Sequence, residues 1–197
     1  YTLSAQGKKN ADVNADGKIN HVDDVLLGYA YSGYYPDTVP LKPITNYVLY
    51  GDVNEDGVAD IEDAMFIARY VEGKYTLSAQ GKKNADVNGD GKINHVDDVL
   101  LKSAYSGYYS DTVPLKPITN YILYGDVNED GVTDIVDAMF IARYVEGNYT
   151  LSAQGKKNAD VNCDGKVDTN DSDLVSKFYS GYYTQYDSSG VISQCIK

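Results

Sequence analysis

Asp52-Val53-Asn54-Glu55-Asp56-Gly57-Val58-Ala59-Asp60-Ile61-Glu62-Asp63 is the stretch that decides the fold, because its spacing recurs four more times. The other copies start at Asp12, Asp86, Asp126 and Asp160. Each places oxygen-bearing side chains at positions 1, 3, 5, 9 and 12 and a glycine at position 6. A hard cation takes six to eight oxygen ligands, and a glycine lets the chain turn sharply enough for both halves of the stretch to face one point. This is the ligand order of a twelve-residue calcium loop. One match is within reach of a chance acidic turn; five with identical internal spacing are not.

The ligand set follows residue by residue. The first loop offers Asp12, Asn14, Asp16, the backbone carbonyl of Lys18, Asn20 and Asp23. The second offers Asp52, Asn54, Asp56, the Val58 carbonyl, Asp60 and Asp63, and the third Asp86, Asn88, Asp90, the Lys92 carbonyl, Asn94 and Asp97. In the fourth they are Asp126, Asn128, Asp130, the Val132 carbonyl, Asp134 and Asp137; in the fifth Asp160, Asn162, Asp164, the Lys166 carbonyl, Asp168 and Asp171. The cofactor expected is therefore Ca²⁺, at five sites. Position 12 is Asp throughout, where a calcium-sensor loop carries Glu, so the backbone must bring this shorter carboxylate closer.

Charge agrees with this reading. The net charge is -12, from 29 acids and 17 bases. Eighteen of the acids lie at ligand positions, which leaves a mildly basic remainder. The acidity belongs to the loops and not to a disordered tail, and no basic run interleaved with aromatics points to nucleic acid. With the acids committed to metal, no nucleophile, base and acid are left to form a catalytic set, so the chain is not expected to be an enzyme.

Loop starts are spaced 40, 34, 40 and 34 residues apart, a repeat of 74, and residues 1–74 differ from 75–148 at only eight positions. A third copy starts at Tyr149 and leaves the pattern after Tyr183. Every loop is followed by an apolar stripe at helical spacing, such as Val22, Val25, Leu26 and Tyr29, or Ile61, Ala64, Ala68 and Val71. Gly73 and Gly147 stand where a helix ends. No amphipathic segment precedes the loops; Ser78-Ala79-Gln80-Gly81 reads as a short polar turn. Each unit is thus a loop and one helix, half of an EF-hand, and must pair to bury its stripe. The 40-residue connections contain prolines (Pro36, Pro40 and Pro43, then Pro114 and Pro117) and read as linkers, so loop two pairs with three and four with five. The expected division is a lone second half at 1–35, a linker at 36–47, a module at 48–110, a linker at 111–121, a module at 122–184 and a tail at 185–197. The fold class is small, all-α and calcium-stapled.

Tyr-Gly-Asp-Val-Asn-x-Asp-Gly, an Ala-Arg-Tyr helix, and then Asn-Ala-Asp-Val-Asn-x-Asp-Gly-Lys-Ile-Asn resemble a type I dockerin. The resemblance covers Tyr50–Tyr109 and Tyr124–Tyr183 in full, and Asn10–Tyr35 as a half module. It implies a non-catalytic docking module that binds cohesin domains and brings polysaccharide-degrading enzymes onto an extracellular scaffold. It also implies where the partner is read: loop positions 10 and 11 and a basic residue on the following helix. Here these are Ile61, Glu62 and Arg69 with His95, Val96 and Lys102 in the first module. In the second they are Ile135, Val136 and Arg143 with Thr169, Asn170 and Lys177. The lone half offers His21 and Val22. Val22, Val96 and Val136 read equally well as core residues at helix starts.

Two further features bear on function. Tyrosine is abundant, with 20 copies and no Trp, and the Ser-Gly-Tyr-Tyr clusters are expected to pack on Tyr50 or Tyr124 or to bury against neighbouring modules. Cys163 and Cys195, the two cysteines, both fall in the third copy and are expected to form a disulfide that pins the tail to the fifth loop. No stretch is apolar and long enough to span a membrane, and a secreted bacterial surface or matrix protein is the expected setting. The partner is expected to be a cohesin-like domain. The alternative is other copies of the chain, in a self-assembling fibre or surface layer, since near-identical surfaces suit equivalent contacts.

Overall fold

The computed structural model describes residues 2–35, 42–107, 114, 116–182, 192 and 194–196. Among them are eight helices and no strand. They are α1 (Ala5–Ala11), α2 (His21–Tyr31), α3 (Ile61–Val71), α4 (Ala79–Ala85), α5 (His95–Tyr105), α6 (Ile135–Val145), α7 (Ala153–Ala159) and α8 (Thr169–Tyr179). The chain divides into two compact units, one of residues 1–93 with 100–118, the other of residues 94–99 with 119–197.

The five long helices begin at loop position 10, and the loop itself starts them. The position-9 side chain (Asn20, Asp60, Asp134 or Asp168) accepts a hydrogen bond from the backbone N–H two residues on. The position-12 carboxylate reaches back to the N–H of position 9, which completes a capping box. Asn94 and Asp97 make the same two bonds at the start of α5. Metal-ligand spacing and helix-start spacing are thus one pattern. At the far end of α3 the Gly73 N–H donates to Tyr70 and the Lys74 N–H to Arg69, with Gly73 at φ 70°, a Schellman closure that α6 repeats at Gly147.

Three of the eight helices depart from the expected bare loop–helix unit. The stretch Ala-Gln-Gly-Lys-Lys-Asn-Ala ahead of loops one, three and five is not a turn but a seven-residue helix, α1, α4 or α7. Ser4, Ser78 and Ser152 cap these helices by accepting from the N–H of Gly7, Gly81 and Gly155. The inner face of α4 and α7 is Gly, Asn and Ala, which carries no hydrophobic periodicity, while α1 buries no residue. Loops one, three and five therefore have a helix on each side, while loops two and four do not.

The halves of each complete module are fastened by one asparagine. The Asn84 side-chain amide donates to the Asp52 carbonyl at 2.6 Å, and its oxygen accepts from the Leu49 N–H at 3.2 Å. The Asn84 carbonyl accepts from Gly51 at 2.7 Å. Asn158 repeats all three bonds with Asp126, Leu123 and Gly125. Around this joint Ala64, Ile67, Leu77, Ala85, Val87, Leu100 and Leu101 are buried in the first module. The second module buries Ala138, Ile141, Leu151, Ala159, Val161 and Val175. Complete burial of one such Leu or Ile stabilises the fold by roughly 1.5–3 kcal/mol. The α3 stripe is centred on Ala64 and Ile67; Ile61, expected within it, is exposed because the helix starts there on the loop's outer side.

The described residues of the proline-containing stretches and of the tail pack back onto the modules they follow. The Ile44 N–H donates to the Val13 carbonyl, Ile118 to Val87 and Ile196 to Val161, at 2.8, 2.9 and 2.7 Å. Four residues earlier the Pro114 carbonyl accepts from the Tyr50 N–H, and Ile192 forms an antiparallel bridge with Tyr124. The two later return segments thus tie the start of a complete module to its second candidate calcium loop. Ile44, Tyr47 and Leu49 also close the core of the half module over Val13, Val22, Leu26 and Ala30, so residues 42–47 are part of the first unit and not a spacer. Residues 36–41, 111–113, 115, 185–191, 193 and 197 of the expected linkers and tail, and 108–110 and 183–184 at the ends of the expected modules, lie outside the described residues.

Candidate calcium loops and docking faces

Loops two and four show the candidate metal site most completely. Asp52 accepts from the N–H groups of Asp56 and Gly57, at 3.0 and 3.1 Å. Asp63 accepts from Val53, Asn54 and Asp60, at 2.8, 2.9 and 3.0 Å. Asp126 and Asp137 repeat this set with Asp130, Gly131, Val127, Asn128 and Asp134. The loop backbone is therefore folded around its own carboxylates. Loop position 4 takes a left-handed conformation, at Ala15, Glu55, Glu129 and Cys163 as at Gly89. Only the last of these avoids the steric cost that a Cβ brings there.

Burial is the main electrostatic effect. It pushes the Asp52 carboxyl up to about 7, helped by the nearby charges of Asp63 and Asp56. Asp126 is pushed up to about 8 by burial and then by Asp137 and Asp130. Burial raises Asp63 and Asp137 to about 6, against the lowering effect of their three N–H donors. The Asp171 carboxyl is raised for the same first reason. Clustered, desolvated carboxylates that repel each other take up either protons or a cation.

Among the described residues no three acidic, histidine or cysteine side chains are gathered around one point as they stand. The carboxylates are turned onto backbone N–H groups instead. Each carboxylate oxygen has two lone pairs, so the Asp52 and Asp126 oxygens, with one N–H bond each, keep one for an ion, while the Oδ1 atoms of Asp63 and Asp137 accept two N–H bonds. In loop one the Asp12 Oδ1 is buried and accepts no hydrogen bond at all. A buried orphan oxygen beside acidic neighbours, with Asn and carbonyl oxygens in the same loop, is a donor set that suits calcium.

The residues expected to read a partner separate into two groups. Ile61, Glu62 and Arg69 on α3, Ile135, Val136 and Arg143 on α6, and Thr169, Asn170 and Lys177 on α8 are exposed. His21 is exposed, with Nδ1 3.4 Å from Asp24, while His95 and Lys102 are half-buried. Val22 and Val96 are buried in the core, which corrects their assignment to a binding surface; at the same helix position Val136 is exposed. Met65 and Met139, which sequence reasoning passed over, are exposed one turn beyond Ile61 and Ile135, on the line that leads to Arg69 and Arg143. Their i, i+4 spacing was the available signal.

The loop glycines also mark junctions. A methyl at Gly57 would stand 2.9 Å from the His21 backbone, and one at Gly131 would stand 2.4 Å from that of His95. The start of α2 is thus covered by loop two, and the start of α5 by loop four. Cys163 and Cys195 are joined as expected, with Cα atoms 5.7 Å apart, and the Tyr124 hydroxyl lies 3.6 Å from the Cys195 sulfur. Tyr34 and Tyr35 stack edge to face, and the Tyr35 hydroxyl is pushed up by burial and then by neighbouring tyrosines, Tyr50 among them.

The model of the type I dockerin domain matches residues 50–104 and 124–178, more than half of the chain. The chain belongs to the type I dockerin family. The two matched segments hold loops two and three, and loops four and five, in the halves that Asn84 and Asn158 fasten. Type I dockerins are calcium-binding, non-catalytic docking modules, and this chain carries two in tandem. No curated protein matches the chain. Among the described residues no helix is long and apolar enough to cross a membrane.

Proposed function

We propose that this tandem dockerin is a secreted, calcium-loaded adaptor whose two complete modules each bind a cohesin-type domain, so gathering the components of a polysaccharide-degrading complex. Five calcium ions, one per loop, are held by the side chains at positions 1, 3, 5, 9 and 12 and the carbonyl at position 7. The ion supplies charge neutralisation there, and the chain's own capping boxes hold the ligands in place.

The observation that carries this reading is the duplicated exposed face on the matched segments: Ile61, Met65 and Arg69 on α3, and Ile135, Met139 and Arg143 on α6. An apolar centre with a cation at its edge fits a partner with an apolar patch and a flanking carboxylate. Glu62 on the first face is replaced by Val136 on the second, so the two modules differ in charge toward the same partner. The disulfide supports an oxidising, extracellular setting.

A self-assembling structural repeat is the second reading, favoured by the equivalent junctions at Gly57 on His21 and Gly131 on His95. Calorimetry with a purified cohesin in calcium separates the two. Binding that weakens at least about tenfold in Arg69→Glu/Arg143→Glu supports docking. Filaments of the pure protein that bind no cohesin sink it.

A further inference from the structure

Cys163 stands at position 4 of loop five, with a candidate ligand on each side. These two, Asn162 and Asp164, bond each other across it: the Asp164 N–H donates to Asn162 Oδ1 at 2.9 Å, and the Asn162 amide donates to the Asp164 carboxylate at 3.2 Å. The Cys163 backbone is left-handed, at φ 58°, a conformation that is unfavourable for any residue with a Cβ. In the complete modules each position 4 is held there differently. Gly89 has no Cβ to accommodate. Glu55 and Glu129 accept hydrogen bonds from Ser78 and Ser152, which cap the short helix of the other half. Cys163 is bonded to Cys195 instead, and one residue further on the Ile196 N–H donates to the Val161 carbonyl at 2.7 Å. Ile196 is part of the buried core of the module, so the tail grips loop five from a fixed base.

The disulfide is also open to solvent. Cys163 is exposed, Cys195 is half-buried, and Cys163 lines an open cavity of about 410 Å³. Lys156, Lys157 and Lys166 line the same cavity, and Asp160 is the one acidic side chain among its lining residues. Positive charge beside a disulfide favours thiolate, which is both the attacking and the leaving form in thiol–disulfide exchange. The Tyr124 hydroxyl lies 3.6 Å from the Cys195 sulfur, where it can donate to that sulfur once it carries charge.

We infer that Cys163–Cys195 is a redox latch on loop five, opened by small dithiols that enter through the lysine-lined cavity, and that calcium and the disulfide stabilise each other there. The inference rests on the calcium reading proposed above. In the oxidised chain the tail holds Cys163 in the conformation that keeps Asn162 and Asp164 together. In the reduced chain ion binding alone must hold it, so the affinity of loop five falls by roughly tenfold. Linkage makes the effect reciprocal, so calcium resists reduction by the same factor. The opening step is ordinary exchange. A dithiol thiolate attacks one sulfur, the S–S bond breaks to give a mixed disulfide, and the second thiol of the reductant displaces the protein. The chain gains two electrons and two protons as two thiols, and the reductant leaves as its cyclic disulfide.

The test equilibrates the full chain with reduced and oxidised dithiothreitol at fixed pH, in millimolar calcium or in chelator, and counts free thiols by alkylation and mass spectrometry. Calcium is expected to shift the equilibrium toward the disulfide by roughly tenfold, which is about 30 mV for this two-electron couple. Calcium titration of the oxidised chain and of Cys163→Ser/Cys195→Ser should show one site weakened by the same factor, with an equal helical signal for both in saturating calcium. Equal affinities in both forms, or an equilibrium that calcium does not move, overturn the inference and leave the calcium reading standing. Absence of calcium uptake by either form overturns both. Protection that persists in full in Asp164→Ala also overturns it, because the effect would then come from folding of the module and not from loop five.

Discussion

The two complete modules close along the same backbone path with different chemistry. In the first, Ile118 bonds Val87 and Pro117 lies 3.1 Å from where a Cβ on Gly89 would stand. In the second, Ile196 bonds Val161, and the places of Gly89 and Pro117 are taken by Cys163 and Cys195, covalently joined. A van der Waals contact in one copy is a disulfide in the other. The comparison identifies the return segment as a working part of each module. It also places the disulfide inside a candidate calcium loop, since Cys163 lies between the candidate ligands Asn162 and Asp164.

The largest expected effect separates the two closures. The disulfide links residues 32 apart, for which chain-entropy arguments give about 3–4 kcal/mol. The double variant Cys163→Ser/Cys195→Ser should lower the calorimetric transition of the second module by that amount and leave the first unchanged. Equal melting of both modules before and after the change would show that the hydrogen-bonded return segment suffices.

A smaller effect distinguishes complete from incomplete modules. Asn84→Ala leaves the Leu49 N–H and the Asp52 carbonyl buried without their partner, at a cost of about 2–3 kcal/mol. Asn10→Ala should cost less than about 0.5 kcal/mol, because that side chain is exposed. Similar losses in denaturant unfolding would contradict the assignment of Asn84 as the fastener of the two halves.

Much of this was legible in the sequence. Side-chain oxygens at loop positions 9 and 12 gave both the calcium pattern and the helix starts, because the spacing of a ligand pair is also that of a capping box. The helices α1, α4 and α7 were not legible. In α4 and α7 the buried face is Gly81, Asn84 and Ala85 or Gly155, Asn158 and Ala159, residues whose role is close backbone approach and hydrogen bonding, and neither leaves an apolar rhythm. The return segments read as linkers for a related reason: Pro43 and Pro117 mark a linker by composition, while one isoleucine after each does the packing. Val22 and Val96 were open between core and surface until the helix orientation placed them inside, and Val136 shows that the same position also serves on the outside.

A further effect lies in pH, where its sign is the informative part. In the calcium-free chain the folded pKa values of Asp52 and Asp126, about 7 and 8, lie above the ordinary 3.8. Folding then takes up protons, so the stability from these groups is full below about pH 4 and lost as pH rises through 6 to 8. Thermal melts without calcium should fall over that range. Melts in saturating calcium should not, because the ion binds the deprotonated carboxylates. Parallel curves with and without calcium would exclude these carboxylates as the ligands.

The central claim is that calcium fastens each module and that the binding faces depend on it. Far-ultraviolet circular dichroism at neutral pH, followed through chelation and calcium return, tests this most directly. The account predicts a large loss of helical signal and of melting temperature in chelator, fully restored by millimolar calcium and not by magnesium. An unchanged helical signal and melting temperature in chelator would contradict it.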